Sequence, residues 1–165
     1  PELRLELTAE GELIAMPPTG GRTGHRNSRI GQRLMNWSDG AGGVAFDSST
    51  CFSLPNGAKR SPDASWVTDE RWAALSEREQ ETFPPLCPDF VLELRSPTDN
   101  LGVLEDKLEE YLANGARLGW LIDPQTRRVY SYRPGQRVEV LEDPEVVSGE
   151  DVLVGFELKL LEVWG

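Results

Sequence analysis

Between residues 90 and 122 the sequence spells a strand, a helix and a second strand with little in between. Phe90-Val91-Leu92-Glu93-Leu94 is the most strand-like run in the chain. Residues 100–114 place Leu101, Leu104, Leu108, Tyr111 and Leu112 on one stripe at helical spacing, with Asp99 as the expected N-cap and Gly115 as the stop. Residues 118–122 then form a short apolar strand. Two strands joined through a helix lie parallel, because a crossover of that length is what returns the chain in the same direction. The expected fold class is α/β, a mixed sheet flanked by helices.

The rest of the chain fits around this unit. Residues 3–7 and 12–16 alternate apolar with other residues across a Thr8-Ala9-Glu10-Gly11 turn, the pattern of an N-terminal hairpin. Pro17-Pro18-Thr19-Gly20-Gly21 breaks it, and a helix is expected over about residues 23–38, ending at Asp39-Gly40. Short strands are expected at 44–46, 51–54 and 60–67, a charged helix over 69–81, and strands with turns after residue 123. No repeat, low-complexity run or linker interrupts the 165 residues, so 1–165 reads as one domain able to bury a real core. No run approaches the ~20 apolar residues that span a bilayer, and no secretory h-region precedes the first expected strand. Cys51 and Cys87 follow no metal-ligand spacing. A cytoplasmic chain with reduced thiols is expected.

Two carboxylates stand out. On a strand, Val91, Glu93 and Arg95 share one face, and a carboxylate amid so apolar a run is costly unless it meets a cation. The plain alternative is a Glu93–Arg95 ion pair on an exposed face. Asp63 sits in Ser61-Pro62-Asp63-Ala64-Ser65-Trp66-Val67, again mostly apolar. Asp89 also follows a proline, but on one extended strand its Cα lies roughly 13 Å from that of Glu93. That is too far for oxygens to share an ion at ~2.0–2.6 Å, so Asp89 reads as a turn residue and Asp63 as the partner. Lys107 borders the apolar stripe and can lay its stem along the sheet; snorkelling to solvent is its alternative.

The first helix carries a different signal. No acid occurs between Glu12 and Asp39, although the chain has a net charge of −11. Arg22, Arg26, Arg29 and Arg33 recur at helical spacing on one face, a candidate contact for nucleic-acid phosphates. The alternative is a solvated face that pairs with acids elsewhere. The overall charge argues against loose, sequence-blind attraction to nucleic acid but leaves room for a local basic patch. His25 has no serine motif for a triad, and Gly20-Gly21-Arg22-Thr23-Gly24 lacks the Gly-Lys-Ser/Thr ending of a Walker loop.

Taken together, Gly11-Glu12-Leu13-Ile14-Ala15-Met16, His25, Ser61 to Val67, Pro88-Asp89-Phe90-Val91-Leu92-Glu93-Leu94-Arg95-Ser96-Pro97, Asp106-Lys107, Tyr111, Gly115 and Trp120-Leu121-Ile122-Asp123-Pro124 resemble the Uma-two family of restriction-endonuclease-like proteins, which have the PD-(D/E)xK nuclease fold. The resemblance implies a metal-dependent endonuclease that hydrolyses nucleic acid, DNA first. It implies Asp63 and Glu93 as ligands for Mg²⁺ or Mn²⁺, and a catalytic lysine. The lysine slot two residues after Glu93 holds Arg95, which stays protonated and cannot be a base. The resemblance therefore moves that role to Lys107, leaving Arg95, His25 and Glu12 as auxiliary positions. A second copy of the chain is a candidate partner, and no membrane is implied. The competing expectation is an inactive module of the same fold that binds nucleic acid or protein.

Overall fold

The structure is a computed structural model that describes residues 3–165. The hairpin pairs β1 (Arg4–Leu7) antiparallel with β2 (Leu13–Met16). Helix α1 spans Gly21–Ala41, longer at both ends than the expected 23–38. Gly40 does not stop it. The stop falls at Gly42 and Gly43, both at positive φ, and a Cβ on Gly43 would lie 2.2 Å from Trp66 Nε1. Only glycine fits under that indole.

Next come β3 (Val44–Phe46), β4 (Phe52–Ser53), β5 (Lys59–Arg60) and β6 (Ala64–Val67). The one strand expected over 60–67 is thus two strands, with Pro62, which has no N–H for a ladder, at the break. The charged segment is also two pieces, α2 (Asp69–Ala73) and α3 (Glu77–Glu81). Ser76 begins the second with a capping box: its hydroxyl accepts the Glu79 N–H, and the Glu79 carboxylate accepts the Ser76 N–H at 2.8 Å.

Strand β7 (Phe90–Leu94), helix α4 (Leu101–Ala113) and strand β8 (Leu118–Asp123) form the expected crossover. The cap of α4 is Asn100, whose side chain takes the Val103 N–H; Asp99, the expected cap, is turned back onto the Ser96 N–H at 2.7 Å. The chain continues through β9 (Arg128–Tyr132), β10 (Glu139–Glu142), β11 (Val146–Ser148), β12 (Glu157–Lys159) and α5 (Leu161–Trp164).

The main sheet has the order β10-β9-β8-β7-β6-β3, with β7 and β8 parallel and the other neighbours antiparallel. A second sheet has the order β2-β1-β5-β4, so the break at Pro62 hands the chain from one sheet to the other. Phe90, Leu92 and Leu94 of β7 pack with Ile30 and Leu34 of α1 and Val163 and Trp164 of α5. Val91, on the other face of β7, packs with Leu104, Leu108 and Tyr111 of α4. The main sheet is therefore the middle of three layers, and Glu93 points to the α4 side. No helix among the described residues is long and apolar enough to cross a membrane.

Candidate active site

Glu93 is 2% exposed, which removes the exposed ion pair with Arg95 as its explanation. The β6–β7 register pairs Ala64 with Leu92, and one step further brings Asp63 opposite Glu93 on the same face. Asp63 stands at the bend after Pro62, just ahead of β6, rather than within a strand. Its Oδ2 accepts the Leu94 N–H at 2.8 Å, which fixes the carboxylate against the end of β7. From α4, Lys107 Nζ lies 2.9 Å from Glu93 Oε1. One turn on, the Tyr111 hydroxyl donates to the same oxygen at 3.0 Å. Lys107 is buried, so it does not snorkel to solvent.

Three participants were not singled out from the sequence: Glu6, Arg4 and Arg60. Tyr111 was read only as part of the apolar stripe and of the family pattern. Strand β1 turns its charges inward, leaving Leu3 58% and Leu5 47% exposed while Glu6 is 2% exposed. Glu6 accepts from Lys107 Nζ at 3.1 Å, from the Ser61 N–H at 3.0 Å and from Arg60 Nη1 at 3.2 Å. Arg60 in turn donates to Glu110 at 2.6 Å. Arg4 donates to Asp63 Oδ1 at 3.3 Å and to the Ser61 carbonyl. The period-two alternation of β1 was visible, but it marks the leucine phase as the one that ordinarily faces inward, and the fold turns the charged phase in instead.

Burial dominates the electrostatics. It pushes Glu93 up to about 7; the Lys107 ammonium pulls it down, and the nearby carboxylates of Asp63 and Glu6 add to the rise. Asp63 is raised too, again by burial, against the pull of Arg4 and the Leu94 N–H. Burial works against the Lys107 charge, but Glu93 and Glu6 outweigh it and leave the lysine above its ordinary value. Burial likewise disfavours the Glu6 charge, yet Lys107 and the Ser61 N–H hold Glu6 below its ordinary range. Lys107 is thus a fixed cation between two carboxylates, and Glu93 is the acid least committed to its charge.

Asp63, Glu93 and Lys107 line one open cleft of about 900 Å³, which the start of α1, residues 20–23, also lines. The carboxylates offer hard oxygens, and among the described residues no hydrogen-bond donor reaches Glu93 Oε2. No group of three metal-binding side chains occurs among the described residues. Two carboxylates that leave the other positions to water and a phosphate oxygen are what Mg²⁺ commonly takes, so these residues fit such an ion.

The other expected positions lie elsewhere. Arg95 turns to Asp123, Nη1 to Oδ2 at 2.8 Å, and tethers the ends of β7 and β8. His25 is exposed on α1, and Glu12 is exposed in the β1–β2 turn. The arginine stripe is split. Arg26 donates to the Val163 and Trp164 carbonyls, and Arg33 holds Glu162 with two hydrogen bonds of 2.8 Å. Arg33 thus pairs with an acid of the protein and Arg26 with backbone carbonyls, while of the four Arg22 lines the cleft. Asp89 holds Arg71, Arg117 and the Thr68 N–H where β6 gives way to α2 and β7 begins, as a turn residue does.

The chain matches the family Uma2, described as "Putative restriction endonuclease", over residues 1–161. A solved structure from Anabaena variabilis ATCC 29413, described as a "putative nuclease belonging to DUF820", superposes with a TM-score of 0.83 at 23% identity, covering 97% of this chain and 89% of that one. The DrdV–DNA complex gives a TM-score of 0.43 at 17% identity over 70% of this chain and 10% of that one, a likeness too low to carry an argument. No curated protein matches the sequence.

Proposed function

Because the chain belongs to the Uma2 family of restriction-endonuclease-like proteins, we propose that it hydrolyses phosphodiester bonds of DNA with Mg²⁺ or Mn²⁺ held by Asp63 and Glu93. The observation that carries this reading is the pairing of those two carboxylates beside a buried lysine in one open cleft. When bound, the ion supplies Lewis-acid polarisation of the phosphoryl group and lowers the pKa of water.

The protein's own residues do the positioning. Asp63 is held by the Leu94 N–H and Arg4, so its direction is set before any ion arrives. Glu93 presents Oε2 while Oε1 is held by Tyr111 and Lys107. The Lys107 ammonium, kept protonated by Glu93 and Glu6, serves as an oriented donor and a positive charge near the attacked phosphorus rather than as a base. Arg95 supports the strand ends instead of the reaction. Residues 1–165 act as one unit in this reading.

A second reading is an inactive module of the same fold that binds nucleic acid or protein. It is favoured by the saturation of Lys107 between two carboxylates, and the net charge of −11, which opposes broad attraction of nucleic acid, tilts it toward a protein partner. The test is cleavage of duplex and single-stranded DNA with Mg²⁺ or Mn²⁺, beside Asp63→Asn, with a parallel Mn²⁺ titration. Cleavage lost in Asp63→Asn supports the proposal. DNA binding without cleavage or Mn²⁺ binding moves the protein to the second reading.

A further inference from the structure

The start of α1 lines the same cleft as the carboxylates, and the reading above gives it no task. The first helical hydrogen bond runs from the Gly24 N–H to the Gly20 carbonyl at 2.9 Å, so the N–H groups of Gly21, Arg22 and Thr23 precede the helical ladder. No side chain caps them, and no acid stands in the first turn of this 21-residue helix. Thr23 adds an independent sign. It is 6% exposed and lines the cleft, yet among the described residues its hydroxyl has no hydrogen-bond partner, and it is not among the fully enclosed atoms. A buried threonine that keeps its hydroxyl bare toward a cavity is placed to donate to something in it. The glycines point the same way. At Gly20, Gly21 and Gly24 a Cβ would meet nothing, and none of the three has positive φ, so neither packing nor backbone demands glycine there. Without a Cβ, the N–H groups stay open to approach.

We propose that the N–H groups of Gly21, Arg22 and Thr23, the Thr23 hydroxyl and the Arg22 guanidinium form a phosphate subsite. It holds a phosphate of the nucleic-acid strand in the same cleft as Asp63 and Glu93. Uncapped N–H groups and the positive end of a long helix favour an anion, the hydroxyl adds a donor, and Arg22 adds charge. The naming of the ligand as a nucleic-acid phosphate rests on the nuclease reading; the anion site itself does not. The subsite grips a phosphate beside the one attacked and fixes the register of the strand.

The test uses the whole chain in EDTA, where nothing is cleaved. Inorganic phosphate is titrated into the parent, Thr23→Val and Arg22→Gln by calorimetry, with circular dichroism to check the fold. Each variant should bind phosphate about tenfold more weakly, the loss of one hydrogen bond to a charged group. In a separate titration without EDTA, Mn²⁺ affinity should stay at the parent value. No saturable phosphate binding by the parent, or equal binding by all three proteins, overturns the subsite. Equal binding by Thr23→Val with loss in Lys107→Met also overturns it, because the anion would then sit beside the lysine and the carboxylates. A short oligothymidylate with and without a 5′-phosphate separates the two sources of the group. For a terminal phosphate, the phosphorylated strand binds more tightly and Thr23→Val erases the difference. For an internal diester, the strands bind alike and the variant weakens both. A parent that binds phosphate through Thr23 but takes up no Mn²⁺ would defeat the nuclease reading and leave the subsite standing.

Discussion

Replacing Glu93 with Gln should make the metal-free protein more stable while ending its response to Mn²⁺. In the folded chain the Glu93 carboxyl is raised from 4.5 to about 7, chiefly by burial, with Asp63 and Glu6 adding to the rise. An acid raised in this way keeps its proton longer when folded than when unfolded. Its contribution to stability is therefore lost as pH climbs from the unfolded value through the folded one. At about 1.4 kcal/mol per pH unit, that span corresponds to roughly 3 kcal/mol by about pH 8 and to about 1 kcal/mol near pH 5. Gln has the same shape, its Oε1 still accepts from Tyr111, and Lys107 keeps Glu6 at 3.1 Å as a counter-charge. With about 2–4 °C of Tm per kcal/mol for a chain of this size, Glu93→Gln in EDTA should melt about 6–12 °C above the parent near pH 8 and a few degrees above it near pH 5. Adding Mn²⁺ should raise the melt of the parent and leave the variant unmoved. A gain of the same size at both pH values would show that packing rather than charge is responsible. A variant less stable than the parent near pH 8 would mean that the Lys107 pairing outweighs burial, and the electrostatic account would fall.

Lys107→Met should keep the fold and cut cleavage at least about a hundredfold, with Mn²⁺ affinity unchanged or higher; Arg95→Met should keep the rate but cost about 1–3 kcal/mol, since Asp123, 0% exposed, loses its cation. An active Lys107 variant beside a folded but dead Arg95 variant would reverse the two roles. Mn²⁺ affinity should rise about tenfold per pH unit below about 7, where Glu93 must give up a proton, and level off above; calorimetry showing a flat profile would remove Glu93 as a ligand. Glu6→Gln should cost about 3 kcal/mol in urea unfolding near neutral pH, because Lys107 and Arg60 lose a buried partner. That penalty should fade as pH drops below the ordinary carboxylate range, where Glu6 of the parent also takes up its proton; a constant penalty would point to shape instead.

What the sequence disclosed follows the range of each interaction. The crossover from Phe90 to Asp123 was legible because strand, helix and strand are each local patterns that agree. Glu93 and Lys107 stood out as charges on or beside apolar faces. Asp63 was found as a residue but not in its setting, since nothing local says that Pro62 passes the chain from one sheet to another. Glu6 stayed hidden because the alternation of β1 points its leucines inward by the usual rule, and only the fit of Glu6 over the Lys107–Arg60 cluster reverses that phase. The arginines of α1 read correctly as a stripe, yet the acceptor of Arg26 lies 137 residues away at Val163, beyond the reach of any pattern.

The anchoring of α1 has a mechanical consequence. At 21 residues the helix is a rod about 30 Å long. It is pinned at its far end, where the Trp66 indole donates to the Gly42 carbonyl, and again along its length, where Arg26 and Arg33 hold α5. Its N-terminal tip lines the cleft. A rod fixed at two points behaves as a gauge rather than a jaw: under the proposed function, the gap between its tip and the carboxylates is a set width that a strand must match. Loosening Arg26 or the Trp164 carbonyl it grips would widen the tolerance of that gauge without touching any group in the cleft.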